Sequence, residues 1–271
     1  MTPLDDLLRR WRLTPDGPPT VTRTGHVLPV RRDGEALMLK LSADEDERAA
    51  GRLLAWWNGG GAAQVFARDG QALLMERAEG NRSLSDMAWN GQDDEACRIL
   101  CTTAARLHAP RPAPYPGLVP LARWFDALGP AAATHGGVLV RCEANVRALL
   151  AEPRDVRSLH GDLHHGNVLD FAARGWLAID PKGLRGERGF DLAPLFGNPD
   201  MADPEHAVAT SPERFARRLA VVSAAAGLER TRLLHWVLAW AGLSAAWSLE
   251  DETSPAVALR MAGLAAAELD R

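Results

Sequence analysis

The chain opens with apolar residues at helical spacing, Leu4, Leu7, Leu8 and Trp11, which predict a short amphipathic helix over 3–12. Pro15, Gly17, Pro18 and Pro19 end it, and the pattern shortens to that of strands. Residues 20–30, folded back near Gly25, and 36–41 read as three antiparallel strands, with Arg31-Arg32-Asp33-Gly34 as the second turn. Asp44 to Trp57 predicts a helix whose acidic first turn suits the positive end of its dipole, and Asn58-Gly59-Gly60-Gly61 stops it. A further hairpin pairs 64–67 with 71–75 around Asp69-Gly70. From Asp93 the helical period takes over, with Ala96, Ile99, Leu100, Thr103, Ala104 and Leu107 on one face until His108-Ala109-Pro110. Prolines crowd 110–120 around Tyr115 as a stiff connector, and helices follow over 121–128 and 139–150. The segment Pro194 to Asp203 reads as an irregular loop, and three more helices, 212–226, 229–249 and 254–269, complete the chain. In the middle one Leu233, Trp236, Trp240, Leu243 and Trp247 share a face, ordinarily a core stripe and alternatively a surface for stacking a substrate.

Strands first and helices after predict an α+β architecture in two lobes around a cleft. A small antiparallel β-sheet lobe with one helix would occupy residues 1–78, and a mostly helical lobe residues 79–271. A hydrophobic content of 46% with 24% charged residues describes a soluble globular chain. The net charge of -4 gives no reason to expect nucleic acid or an anionic membrane as partner, and it is compatible with a cationic ligand. Cys97, Cys101 and Cys142 have no disulfide or metal spacing and read as reduced thiols of the cytoplasm. Asp5 and Asp6 interrupt the start of the chain, so it is no secretory signal, and no stretch reaches the roughly 18 apolar residues of a membrane span. The expectation is a cytoplasmic monomer or weak dimer.

The stretch 158–191 carries the chemistry. Asp162, the amide of Asn167 five residues later, and Asp180 at the end of an apolar strand are the parts phosphoryl transfer needs. Their spacing is that of the protein-kinase H-R-D-L-x-x-x-N and D-F-G runs, with Gly161 in place of the arginine and Pro181-Lys182 in place of Phe-Gly. A second reading makes His160, Asp162, His164 and His165 the metal ligands of a hydrolase. A third is a kinase-like binding protein that has lost catalysis.

Upstream, Lys40 closes the third strand, either as the ammonium that pairs with the α- and β-phosphates or as a strand-end lysine reaching solvent. Gly25 within 22–26 marks a phosphate-covering loop or an ordinary hairpin. One acid of the following helix should pair with Lys40: Glu47 lies furthest into the helix, with Glu45 the other choice. Residues 73–78 run into the link between lobes, where Glu76 and Ala78 would offer main-chain atoms to an adenine and Met75 an apolar wall.

The blocks H-G-D-L-H-x-G-N-V-L over 160–169, I-D-P-K-G over 179–183 and G-E-R-G-F-D over 186–191 resemble the aminoglycoside phosphotransferase superfamily. Within it they are most similar to the branch of streptomycin 6-phosphotransferases and hydroxyurea-kinase-like proteins. The resemblance implies a bilobal protein-kinase-like fold that uses ATP and Mg2+. It implies Asp162 as catalytic base, Asn167 and Asp180 as magnesium ligands, Lys40 as a phosphate contact, and Asp191 as a buried acid bracing the catalytic loop. His164 and His165 are near enough in sequence to steady Asp162, and His108 reads as a structural histidine. Lys182 is either a phosphate contact or a brace. The implied substrate is an aminoglycoside such as streptomycin, phosphorylated at a ring hydroxyl; hydroxyurea or another small alcohol is the alternative. Its cationic groups would need acids of the second lobe, and Asp200, Asp203, Glu250, Asp251 and Glu252 are candidates.

Overall fold

In this computed structural model, which describes residues 3–22, 25–112 and 117–271, the helix α1 (Pro3–Arg10) precedes four strands. These are β1 (Thr14–Pro15), β2 (Thr20–Thr22), β3 (Gly25–Arg32) and β4 (Glu35–Leu41). The helix α2 (Glu45–Trp57) follows, capped by the Asp44 carboxylate, which accepts from the backbone N–H of Asp46 and Glu47. Then come β5 (Val65–Asp69) and β6 (Ala72–Glu76). The strands form one antiparallel sheet in the order β1-β3-β4-β6-β5, with β2 on β3. Strand alternation explains its two faces. Leu28, Val30, Leu37, Leu39, Ala72 and Leu74 turn to a core shared with Leu7 of α1, while Leu73 and Met75 face the core that holds Leu53 and Leu54 of α2.

The helical part begins with α3 (Leu84–Met87), a kinked turn through Gly91 at φ 82°, and α4 (Asp93–His108). After β7 (Val119–Pro120), the helix predicted over 121–128 stops early as α5 (Leu121–Trp124), and beyond Phe125–Ala127 a further helix that the pattern did not indicate, α6 (Leu128–His135), begins. Next are α7 (Val138–Ala151), β8 (Val156–Leu159), β9 (Val168–Asp170), β10 (Trp176–Ala178) and β11 (Leu184–Glu187). Three helices end the chain: α8 (Pro212–Ala226), α9 (Arg230–Glu250) and α10 (Ala256–Leu269). From Trp236 to Ala246 α9 is buried on every side, packed against α7 and α10, which is why its apolar residues are not confined to one stripe. Among the described residues no helix is long and apolar enough to cross a membrane.

Short strand pairs position the chemistry. β8 pairs with β11 at Leu159↔Leu184, and β9 with β10 at Val168↔Ala178. The loop 160–167 and the loop 179–183 therefore leave paired strand ends and lie against each other. Lys182 N–H donates to the His160 carbonyl at 2.6 Å, and Ile179 N–H to that of Asn167 at 2.9 Å.

Candidate active site

Asp191, fully buried, anchors the first of these loops. Its carboxylate accepts from the backbone N–H of His160 (2.8 Å) and Gly161 (2.7 Å) and from His108 Nε2 (2.8 Å). His160 Nδ1 accepts from Asp162 N–H at 3.3 Å, which leaves the ring proton on Nε2 to be donated to the Ile179 carbonyl at 2.7 Å. The ring stacks on Trp57 with centroids 6.3 Å apart, and burial pushes its pKa down, so the imidazole is neutral. Both nitrogens are spent on the backbone, and His165 is buried with neither nitrogen hydrogen-bonded among the described residues. The hydrolase reading thus lacks its ligands, and His165 does not steady Asp162.

Asn167 Nδ2 donates to the Asp162 carbonyl at 2.8 Å and to its carboxylate Oδ2 at 3.2 Å. Gly166 N–H donates to His164 Nδ1 at 3.1 Å, and His164 Nε2 lies 3.1 Å from Asn167 Nδ2 and 3.7 Å from Asp162 Oδ1. Burial would raise the Asp162 pKa, but His164, with Lys182 and His160, outweighs it and holds the group below the usual carboxylate value.

Asp180, at a positive φ of 57°, joins both lysines. Lys40 Nζ lies 2.5 Å from Asp180 Oδ1 and 2.5 Å from Glu47 Oε2, while Lys182 Nζ lies 3.0 Å from Asp180 Oδ2. Burial pushes Asp180 up, yet Lys182 and then Lys40 bring it down to about 2. Burial likewise opposes the charge on Lys40, and Asp180 and Glu47 restore it, raising its pKa. Glu47, and not Glu45, is the acid that meets Lys40: as the third residue of α2 it turns inward, while Glu45 is exposed.

The donor set suits a hard cation. Two carboxylate oxygens already face ammonium groups, and the Asn167 amide, its nitrogen directed at Asp162, keeps its oxygen as an acceptor. The remaining expected residues lie apart from this cluster. Gly25 begins β3, where a Cβ would come within 2.0 Å of the Leu41 carbonyl oxygen, so strand contact already requires glycine there. Residues 23–24 of the predicted loop, and Tyr115, lie outside the described residues. Glu76 ends β6 with its N–H donated to Gln64 and its carboxylate 2.7 Å from Arg174. Ala78 packs against the cluster of Ala63, Phe171 and Leu177, and its main-chain N–H and carbonyl make no backbone hydrogen bond among the described residues.

A cleft of about 960 Å³ is lined by Asp162 and Lys182, by Asp44, Asp46 and Glu47 at the start of α2, and by the acids Asp126, Glu250 and Asp251 with Arg123, Trp124, Trp240 and Trp247. Trp124 and Trp247 meet edge to face, with centroids 5.4 Å apart. Asp126 and Trp124 had no distinguishing spacing in the sequence; the only signal was a polar break within what read as one helix. Asp200 is no substrate acid: it is buried and accepts from the N–H groups of Val208, Ala209 and Thr210 and from the Thr210 hydroxyl. Asp203 pairs with His206 outside the cleft.

A small sheet over a helical lobe, with this Asp-Asn-Asp arrangement beneath a Lys-Glu pair, defines a phosphotransferase of the protein-kinase-like class. The chain belongs to the family described as aminoglycoside/hydroxyurea antibiotic resistance kinase, whose profile matches residues 10–252. It is 55% identical to a streptomycin 3''-kinase of Klebsiella pneumoniae over 90% of this chain and 91% of that protein. It is 34% identical to a streptomycin 6-kinase of Streptomyces glaucescens over 92% of this chain and 82% of that one. In fold it is similar to a thermostable mutant of the aminoglycoside phosphotransferase APH(4)-Ia, with a TM-score of 0.68, 13% identity and coverage of 97% and 98% of the two chains.

Proposed function

We propose that this kinase transfers the γ-phosphoryl group of ATP to the 3''-hydroxyl of streptomycin. The observation that carries the reading is the 55% identity to a streptomycin 3''-kinase along 90% of the chain, against 34% to a 6-kinase. In this reading the lobes meet near residue 78 and the nucleotide lies between them. Adenine meets the main chain at Glu76 and Ala78, and Gly25 belongs to the turn above the phosphates. Lys40, kept in place by Glu47, faces the α- and β-phosphates, and Asn167 with Asp180 would hold the magnesium ion. Bound there, magnesium neutralises charge on the β- and γ-phosphates.

Asp162 orients the attacking hydroxyl and accepts its proton, a role supported by a carboxylate held in its charged form and fixed by the Asn167 amide. Because phosphoryl transfer is mostly positioning and charge stabilisation, rigidity around Asp191 matters as much as any one donor. The acids and tryptophans of the cleft suit a substrate with guanidinium groups, which carboxylates bind in a planar fork and indoles attract through their faces.

The test is turnover with ATP and magnesium, followed by product mass and by the position of the phosphate in NMR spectra. One phosphoryl group on the 3''-oxygen is expected. Product at the 6-oxygen would overturn the regiochemistry. No product from streptomycin, with turnover of another aminoglycoside or of hydroxyurea, would overturn the substrate.

A further inference from the structure

The two ammonium groups on Asp180 are not equivalent. Lys40 also holds Glu47, so it keeps a carboxylate partner whatever Asp180 does. Lys182 has Asp180 as its one ionic partner among the described residues. Its backbone is fixed: the N–H donates to His160 at 2.6 Å, and its Cβ lies against Gly161, where an added methyl would come within 3.0 Å. Lys182 therefore stands beside the loop that carries Asp162 and lines the same cleft, with its side chain about one quarter exposed, at 28%.

Charge arithmetic gives the next step. Lys40 and Lys182 balance Glu47 and Asp180, two ammonium groups against two carboxylates. A cation taken up by Asp180 breaks that balance, and the group without a second partner is Lys182.

We propose that Lys182 is a catalytic residue: once Asp180 turns to magnesium, its ammonium moves to a non-bridging oxygen of the γ-phosphoryl group and stabilises the charge there in the transition state. The inference rests on the kinase reading above. In the step, the bond from the substrate oxygen to the γ-phosphorus forms while the bond from that phosphorus to the β–γ bridging oxygen breaks. The hydroxyl proton goes to Asp162, and the departing electron pair stays on ADP. Lys182 keeps its proton throughout and supplies charge and N–H donors.

The experiment compares the full chain with Lys182→Met and Lys182→Arg, reading kcat, KM, Mg·ADP binding by tryptophan fluorescence, and melting temperature. The methionine variant is expected to lose about 100-fold in kcat, as on removal of one preorganised charge donor. Its KM for the acceptor should hold, and arginine should restore part of the rate. Mg·ADP, which has no γ-phosphoryl group, should bind Lys182→Met as tightly as the wild type or more tightly, because Asp180 has lost a competing cation. An unchanged kcat, or weaker Mg·ADP binding with a lowered melting temperature, would overturn the inference in favour of a brace. A wild-type chain inert on streptomycin would count against the substrate reading alone, and the Mg·ADP comparison would still decide Lys182: tighter or equal binding supports the proposal and weaker binding overturns it.

Discussion

On the wall built by β4, α2 and the loop after β10, both lysines are answered from within the chain. Lys40 reaches Glu47 and Asp180 at 2.5 Å each, and Lys182 takes the second oxygen of Asp180. The facing residues, from the break after α5 and the end of α9, bring three further acids, Asp126, Glu250 and Asp251, to the same cleft. Asp126 has an exposed Arg123 at 4.0 Å, and the exposed Glu250 has no ionic partner among the described residues. Ammonium groups held among carboxylates suit a polyphosphate bound through a metal ion, which remains net negative. A wall with surplus carboxylate is prepared for a cation. In the proposed reaction the nucleotide would meet the lysines and the cationic substrate the acids of the same cleft, which Asp162 also lines.

The largest effect should come from Asp162 itself. Asp162→Asn keeps the shape and the contact with Asn167 but removes the proton acceptor. It should lower kcat by about 10³- to 10⁴-fold while Mg·ADP binding is unchanged. Single-turnover product formation checks the first statement and fluorescence titration the second. A loss of nucleotide binding equal to the loss of rate would break the comparison, because Asp162 would then belong to the wall of the lysines.

Next in size are the acids of the facing wall. Asp126→Asn, Glu250→Gln and Asp251→Asn should each raise the KM for streptomycin by roughly three- to tenfold with kcat retained, the scale expected when one charge-assisted hydrogen bond is removed at a solvated site. Added salt should shrink the difference, since exposed charges are screened. If the variants instead lose ATP affinity, the division of the cleft is wrong.

How much of this was legible follows the same division. Asp162, Asn167 and Asp180 lie within one stretch of sequence, whose loops the β9–β10 hairpin and the β8–β11 pairing around it hold together, so their spacing survives as a motif. In the sequence Glu47 stands out over Glu45 only by lying further into the helix; that Asp44 caps α2 and Glu47, its third residue, is the more buried of the two is a finding of the structure. The facing wall has no such signature. Asp126 and Glu250 come from distant turns, and an acid at a helix end looks the same whether it faces water or a substrate. Asp200 seemed equally suitable and proved to be a buried acceptor of three backbone N–H groups. The stop at Trp124 and the separate helix α6 also escaped the apolar pattern; Phe125, between them, is buried against Phe190.

Glu187 extends the pattern of answered charge beyond the cleft and gives the smallest expected effect. Buried at 3% exposure, it accepts from Arg232 at 2.6 and 2.9 Å, from Trp236 Nε1 at 2.7 Å and from Arg154 N–H at 2.8 Å. Burial pushes its pKa up, but Arg232 and the indole outweigh it and hold it below the ordinary 4.5. The folded form therefore binds fewer protons than the unfolded chain in the range just under that value. Its stabilising share is complete above 4.5 and is lost as pH falls through the depressed folded value. Glu187→Gln should accordingly melt below the wild type at neutral pH, and the gap should narrow on acidification. Thermal melts followed by circular dichroism across that range measure it. A gap independent of pH would mean that Glu187 acts through shape and hydrogen bonding, and that charge answered inside the chain matters only where a ligand must displace it.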